Sequence, residues 1–354
     1  MKIAALHGRI SLAVASLCLL VLTFQTLAPA AHAQTVVATI PTPNPPGSPD
    51  VDPAAGRLYI PFQNQIDVVD ENTNQVLRTI TLGEEIKAVA VNPLTSRLYA
   101  ADAFQGALYI IDTRTFATVA TIDIPYARNV VVNPLTNRIY VSNSFYVFVI
   151  DGSTDLILSQ VSLDGSEGLG VNPITNKIYI AQDVYPGAVD VLDGATNTIS
   201  AAIPTGDDAT FAVAVDFFRN HVYATNNSSI TVINGANNTV TTSIADDGQP
   251  GGIVVDPVTN AAYINNEILN EVEIVNNTTN QAVGTINTGT FPLSSALDLY
   301  RGSIFVSEDG TPNGDGTFTG SGVSVIELPA PLNIAPGRVR TPIADASPRV
   351  AGTL

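Results

Sequence analysis

One short line of sequence recurs seven times, and this repetition constrains the fold more than any other feature of the chain. It reads VDPAAGRLY at 51–59, VNPLTSRLY at 91–99, VNPLTNRIY at 132–140 and VNPITNKIY at 171–179. Weaker copies follow as VDFFRNHVY at 215–223, VDPVTNAAY at 255–263 and LDLYRGSIF at 297–305. The closing aromatics Tyr59, Tyr99, Tyr140, Tyr179, Tyr223, Tyr263 and Phe305 are spaced by 40, 41, 39, 44, 40 and 42 residues, and each has an Asp or Asn seven residues before it. A second line follows in six units, an alternating apolar run ending in Asp70, Asp112, Asp151, Asp193, Asn234 or Asn276. Ten residues after each of these Asx residues stands Ile80, Ile122, Val161, Ile203, Ile244 or Ile286, a spacing that never varies.

Alternation with period two argues strands rather than helices, and Val, Ile, Thr and Tyr suit a pleated, half-buried surface. Asx side chains start turns by accepting backbone N–H groups two residues on, and a following Pro presets the next φ. Each unit therefore reads as four short strands, a to d, with the Asx residues as turn formers. Four strands in about 40 residues, repeated seven times, predict an all-β fold: a seven-bladed β-propeller of four-stranded antiparallel blades. The seventh unit lacks a strand d after VSVIE, which ends at Glu327, whereas Thr35–Ile40 matches strand d with nothing before it. The N-terminal strand is thus expected to close the last blade and remove an open edge. On this reading the propeller occupies 34–327, and the Pro/Ala-rich stretch 328–354 is a loosely held tail.

Residues 1–33 read as a signal peptide. Lys2 and Arg9 precede an apolar run from Ile10 to Leu22, and Ala31-His32-Ala33 offers small residues for cleavage before Gln34. The run is shorter than the roughly 20 residues of a membrane span. Cleavage removes two bases and no acid, taking the formal charge from −17 to −19. It leaves no Cys and His221 as the remaining His, so Cys/His zinc sites and disulfides are excluded. Nucleic acid is not an expected partner of so acidic a chain, because phosphate backbones are held mainly by Lys and Arg.

The pattern VNPxTNRIYV followed by VxVIDGxTxxVxxTI closely resembles the YVTN-type, YncE-like propeller repeat family and covers the mature chain except its tail. The resemblance implies a seven-bladed propeller, usually exported or in the cell envelope. The family is functionally diffuse: some relatives bind nucleic acid, others belong to surface layers, and more distant propellers are lactonases or lyases. Its motif is scaffold and carries over no catalytic residue. Virginiamycin-lyase-like propellers use a histidine at the channel mouth, whereas His221 falls at an a–b turn.

Strand polarity sorts the loops. The d–a and b–c loops share one end, X, and the short repeated a–b and c–d turns share the other, Y. Function concentrates in irregular loops, which lie at X. The d–a loops carry Glu84, Glu85, Asp164, Glu167, Asp207, Asp208, Asp246 and Asp247. The b–c loops add Asp102, Asp183, Glu267, Glu271, Glu308, Asp309 and Asp315, so 15 of the 32 acids fall at X beside Lys87 and Arg128. This is either a solubilising rim or a site for Ca²⁺ or a cationic partner. In the longest b–c loop, Asp309, Asn313 and Asp315 alternate with glycines in a calcium-like pattern, without a Glu at the twelfth position. Phe104, Phe145, Tyr146, Tyr185, Tyr126 and Phe291 also fall at X, as inter-blade packing or as a platform for a sugar or peptide. The expected function is an exported, monomeric, non-catalytic binding or scaffold module for a protein, peptide or glycan. Its candidate ligand residues are Glu84, Glu85, Arg128, Asp164, Glu167, Asp207, Asp208, Asp246 and Asp247. The alternative is a divalent-metal-assisted, lactonase-like hydrolase in which Glu84, Asp164, Asp207 and Asp246 converge on one ion.

Overall fold

Seven four-stranded antiparallel sheets form the ring in a computed structural model that describes residues 34–206, 209–315 and 317–329. The expected signal peptide and nearly all of the expected tail lie outside the described residues. Blade 2 is representative, with strands a to d at Ile86–Asn92, Arg97–Asp102, Ala107–Asp112 and Thr118–Asp123. The other inner strands a are Asp50–Asp52, Asn129–Asn133, Leu169–Asn172, Thr210–Asp216, Pro250–Asp256 and Pro292–Asp298. Blade 7 is assembled from both ends of the ring. Its strands Pro292–Asp298, Ser303–Glu308 and Gly322–Glu327 are completed by Val36–Pro41, which pairs antiparallel with the last of them. The N-terminal strand closes the ring as the repeat arithmetic requires.

The invariant spacing of ten has a structural cause. In blade 1, strands c and d start in register with Asp70 opposite Gln75, and a bulge then shifts the pairing between Val68 and Val69. Ile80 consequently faces Ile66 rather than Gln65. The same bulge sets Ile122 opposite Leu108, Val161 opposite Val147 and Ile286 opposite Val272. A one-residue shift moves a side chain to the other face of the sheet, so the bulge turns one apolar residue of the outer strand inward. Ile80, Ile203 and Ile286 are buried on strands that are otherwise largely exposed. In blade 7, Ile40 takes this place opposite Val323.

The apolar core lies between blades. Each of seven buried clusters joins neighbouring blades, the one across the closure seam combining Leu58 and Ile60 of blade 1 with Phe305 and Val325 of blade 7. All seven closing aromatics of strand b are fully buried there. At end Y the blades are stitched by the repeat's own Asn residues. Asn92, Asn133 and Asn172 each donate from Nδ2 to Oδ1 of Asn137, Asn176 and Asn220 in the next blade, all at 2.8 Å. The acceptors sit at φ of 51° to 55°, a left-handed turn conformation that Asn tolerates. In blades 5 and 7, where strand a ends in an Asp that cannot donate, an arginine takes over. Arg219 bridges Asp216 to the carbonyl of Pro257, and Arg301 bridges Asp298 to the carbonyl of Pro53. The glycine of the Asp-Gly turn is required by the same packing: a Cβ on Gly194 would lie 2.6 Å from Asn176 Oδ1 and 2.8 Å from Tyr140 Oη of the preceding blade.

Candidate functional site

Strands a line an axial channel of about 330 Å³. Its described lining is apolar or small except for Asn129, serines and Asp50, the one charged group. Asp50 accepts N–H groups from Val51 at 2.8 Å and from Val91 of the next blade at 2.7 Å. Burial nevertheless pushes its carboxyl up to about 6, because two neutral donors do not replace lost hydration. The described lining therefore offers shape and a single acid.

End X is built on a ring of polar residues that sequence reading had not singled out. The third residue after each closing aromatic ends strand b or follows its last residue, and in six blades it is polar and buried: Asp102, Asn143, Gln182, Asn226, Asn266 and Glu308. Two of these side chains, Asp102 and Asn143, tie the two loops of their blade together. Asp102 accepts N–H groups of Phe104 and Gln105 in its b–c loop, each at 3.0 Å, and of Glu84 in the d–a loop at 2.8 Å. Asn143 accepts from Phe145 and Tyr146 and donates to the carbonyl of Pro125 at 2.9 Å. Gln182 donates to buried Asp190. Asp102 and Glu308, counted among the loop acids from sequence, are thus structural caps on strand ends. Their position relative to the aromatic was the available signal.

The candidate acids have different surroundings. Glu84 is exposed and accepts from Gln105 Nε2 at 3.3 Å, and Glu85 pairs with Lys87 at 2.8 Å. Arg128 and Glu167 are brought together at 3.2 Å. Burial raises the Glu167 carboxyl, Arg128 opposes that rise and Asp183 adds to it. Asp164 is exposed and acts on Asp190, whose carboxyl is raised chiefly by burial. Asp207 and Asp208 lie outside the described residues. Asp246 is buried and accepts the N–H of Gly248 at 2.7 Å, whereas Asp247 is exposed. Both act on Glu273, whose carboxyl is pushed up to about 7, first by burial and then by these neighbouring acids. Glu84, Asp164 and Asp246 belong to separate local networks. Among the described residues no three Asp, Glu, His or Cys side chains form a metal-binding group.

The long b–c loop of blade 7 forms a small hairpin, pairing Thr311–Pro312 with Phe318–Thr319. Asp315 accepts from the N–H and hydroxyl of Thr317, and Asn313 accepts from Thr319 and donates to Thr317. Asp309 stands at the hairpin base, its carboxyl raised by burial against the pull of Lys87. His221 opens strand b of blade 5 at end Y.

The aromatics separate into two groups. Tyr146 packs edge-on to Phe148 of its own strand, with ring centroids 6.1 Å apart, and lies against the apolar cluster between blades 2 and 3. Phe104, Tyr126, Phe145, Tyr185 and Phe291 instead project into solvent, with exposures of 71%, 69%, 64%, 82% and 43%. The first four belong to loops of blades 2 to 4. Gly106 packs against Pro125 and Asn143 donates to the Pro125 carbonyl, so the loops of Phe104, Tyr126 and Phe145 adjoin. The loop of Leu163, whose N–H bonds to the Phe145 carbonyl, meets Val184 beside Tyr185 through Gly165. Asp164 and Asp183 lie in the same arc. End Y presents a different surface: the fourth position of the repeat exposes Leu94, Leu135, Ile174, Val258 and Tyr300, one in each of five blades.

The sequence matches no family model and no curated protein. Solved structures do match in fold. One titled Kuenenia stuttgartiensis hydrazine synthase superposes with a TM-score of 0.70 at 16% identity, covering 86% of this chain and 99% of that one. Another, titled as the structure of U3-55K, gives 0.71 at 10% identity and covers 83% and 98%. At these identities the likeness is one of architecture, and propellers serve many unrelated functions.

Proposed function

We propose that this chain is an exported, non-catalytic binding or scaffold propeller of the cell envelope or extracellular space, with its ligand face at end X. The observation that carries this reading is the run of exposed aromatics on the loops of blades 2 to 4. Asp102 and Asn143 pin the loops that carry Phe104, Tyr126 and Phe145, so these three rings are held out by a rigid frame, and Tyr185 stands out beside them. Large rings with few rotatable bonds are efficient contact groups, and carboxylates between them supply directional acceptors. A YVTN-type, YncE-like membership and a monomeric state accord with the closed ring and its repeat. The ligand class is a peptide, protein or glycan.

The test is a peptide and glycan array probed with three forms of the protein. These are the wild type, Phe104→Ser/Phe145→Ser/Tyr185→Ser at end X, and Leu94→Ser/Leu135→Ser/Ile174→Ser at end Y. Signals lost only in the end-X variant support the reading. Signals lost only in the end-Y variant, or no saturable signal for the wild type, refute it.

A further inference from the structure

Blade 6 departs from its neighbours at end X. In blades 2 and 7 the side chain ending strand b reaches under the d–a loop and accepts an N–H there, Asp102 from Glu84 and Glu308 from Gly289, both at 2.8 Å. In blade 6 the loop's own acid does this, because Gly248 donates to Asp246 Oδ1 at 2.7 Å. Asn266, which ends strand b at Ala261–Asn266, is left 3% exposed with its Oδ1 unpartnered. It still lies under that loop, since a Cβ on Gly248 would sit 2.7 Å from Asn266 Cγ. Asp246 is 8% exposed, and its second oxygen, Oδ2, also lacks a donor. So does Oε2 of Glu273, from strand c at Glu271–Asn276, and the Asp246 and Glu273 carboxyls are within hydrogen-bonding reach of each other. Asp247 and Glu271 add negative charge.

Buried oxygens without donors are costly, and like charges in contact add to that cost. A proton shared by the two carboxyls satisfies their mutual contact and leaves the amide oxygen of Asn266 unserved. A hard cation serves all three, since it needs several oxygens and brings the missing positive charge. We propose that Asp246, Asn266 and Glu273 form a binding site for a hard divalent cation of the calcium class, set between the d–a loop and strands b and c of blade 6. Three side-chain groups are fewer than the six to eight oxygens such an ion takes, so carbonyls or waters complete the shell. Affinity then falls in the weak range of about 10⁻⁴–10⁻³ M. The site stands independently of the aromatic face, because neither its residues nor its probe involve that face.

The test uses the mature protein and the metal alone. In 10 mM CaCl₂ the melting temperature should exceed that in NaCl of equal ionic strength by roughly 3 °C or more, by linkage to the folded state. Titration calorimetry should give one site. Asp246→Asn/Glu273→Gln should fold, because it removes repulsion, and should lose the calcium response. Asn266→Asp adds a carboxylate to the same point. It should be less stable without calcium and bind calcium several-fold more tightly. No calcium-specific shift in the wild type overturns the proposal. So does a calcium response retained in the double variant, or an Asn266→Asp protein that calcium does not rescue.

Discussion

Glu71 offers a sharp test of how burial sets the chemistry of this ring. It occupies the c–d turn of blade 1 at end Y, where other blades carry Thr113, Gly152, Gly194, Gly235 or Asn277. Its side chain is wholly excluded from solvent at the closure seam, against Asp298 and Arg301 of blade 7. Arg301 is committed to Asp298 at 2.9 Å and to the carbonyl of Pro53 at 2.9 Å, and stands 3.9 Å from Glu71 Oε2. One guanidinium therefore faces two carboxyls. Burial first, and then the hydrogen bond and repulsion from Asp298, push Glu71 from 4.5 up to about 9, with Arg301 opposing. The folded state holds this proton more tightly than the unfolded chain does. Stability from the protonated group is complete below pH 4.5 and falls as pH rises toward 9. At pH 7 the loss is about 3 kcal/mol, taken over the interval between 4.5 and 7. Glu71→Gln keeps the shape and a donor toward Asp298 and removes the titration. It should raise the melting temperature by roughly 5 °C at pH 7 and leave it unchanged near pH 4. Paired thermal melts of the two proteins from pH 4 to 9 provide the measurement. A variant less stable than wild type by the same amount at every pH would show that Glu71 is ionised and holds Arg301, and would refute the reasoning.

Deleting residues 34–41 should destabilise the entire ring. It uncovers the edge of Gly322–Glu327 and removes buried Ile40, worth roughly 1.5–3 kcal/mol, with the half-buried Val36 and Ala38 and a backbone ladder besides. A melting temperature unchanged by the deletion would contradict closure by this strand. Gly194→Ala should cost about 1–3 kcal/mol by overpacking against Tyr140 Oη and Asn176 Oδ1. Tyr140→Phe should recover part of that cost in a double-mutant cycle, and strict additivity would show that the hydroxyl is not the obstacle. Secreted material should begin at Gln34 by N-terminal sequencing or intact mass, whereas a chain retaining Lys2 would contradict export with cleavage.

The repeat by itself determined the ring. Seven aromatics at a spacing near 41 count the blades, and an orphan strand d at the N-terminus matched to a missing one after Glu327 shows how the circle closes. These features are legible because they are local and repeated: alternation specifies a strand, Asx specifies a turn, and neither depends on what lies across the ring. The constant spacing of ten was visible too, although the bulge behind it became visible only once strands c and d were paired. The candidate site was legible only as composition. Sequence placed acids and aromatics at end X, but whether an acid caps a strand like Asp102, meets a base like Glu85 or faces another carboxyl like Asp246 depends on loops from different segments. Charge is a property of the residue, whereas its energy depends on burial and on neighbours brought together by folding. The same holds for the rings of Phe104, Phe145 and Tyr185. Tyr146 packs against the core between blades 2 and 3 whereas Phe145 beside it stands in solvent, and that difference depends on the path of the folded loop.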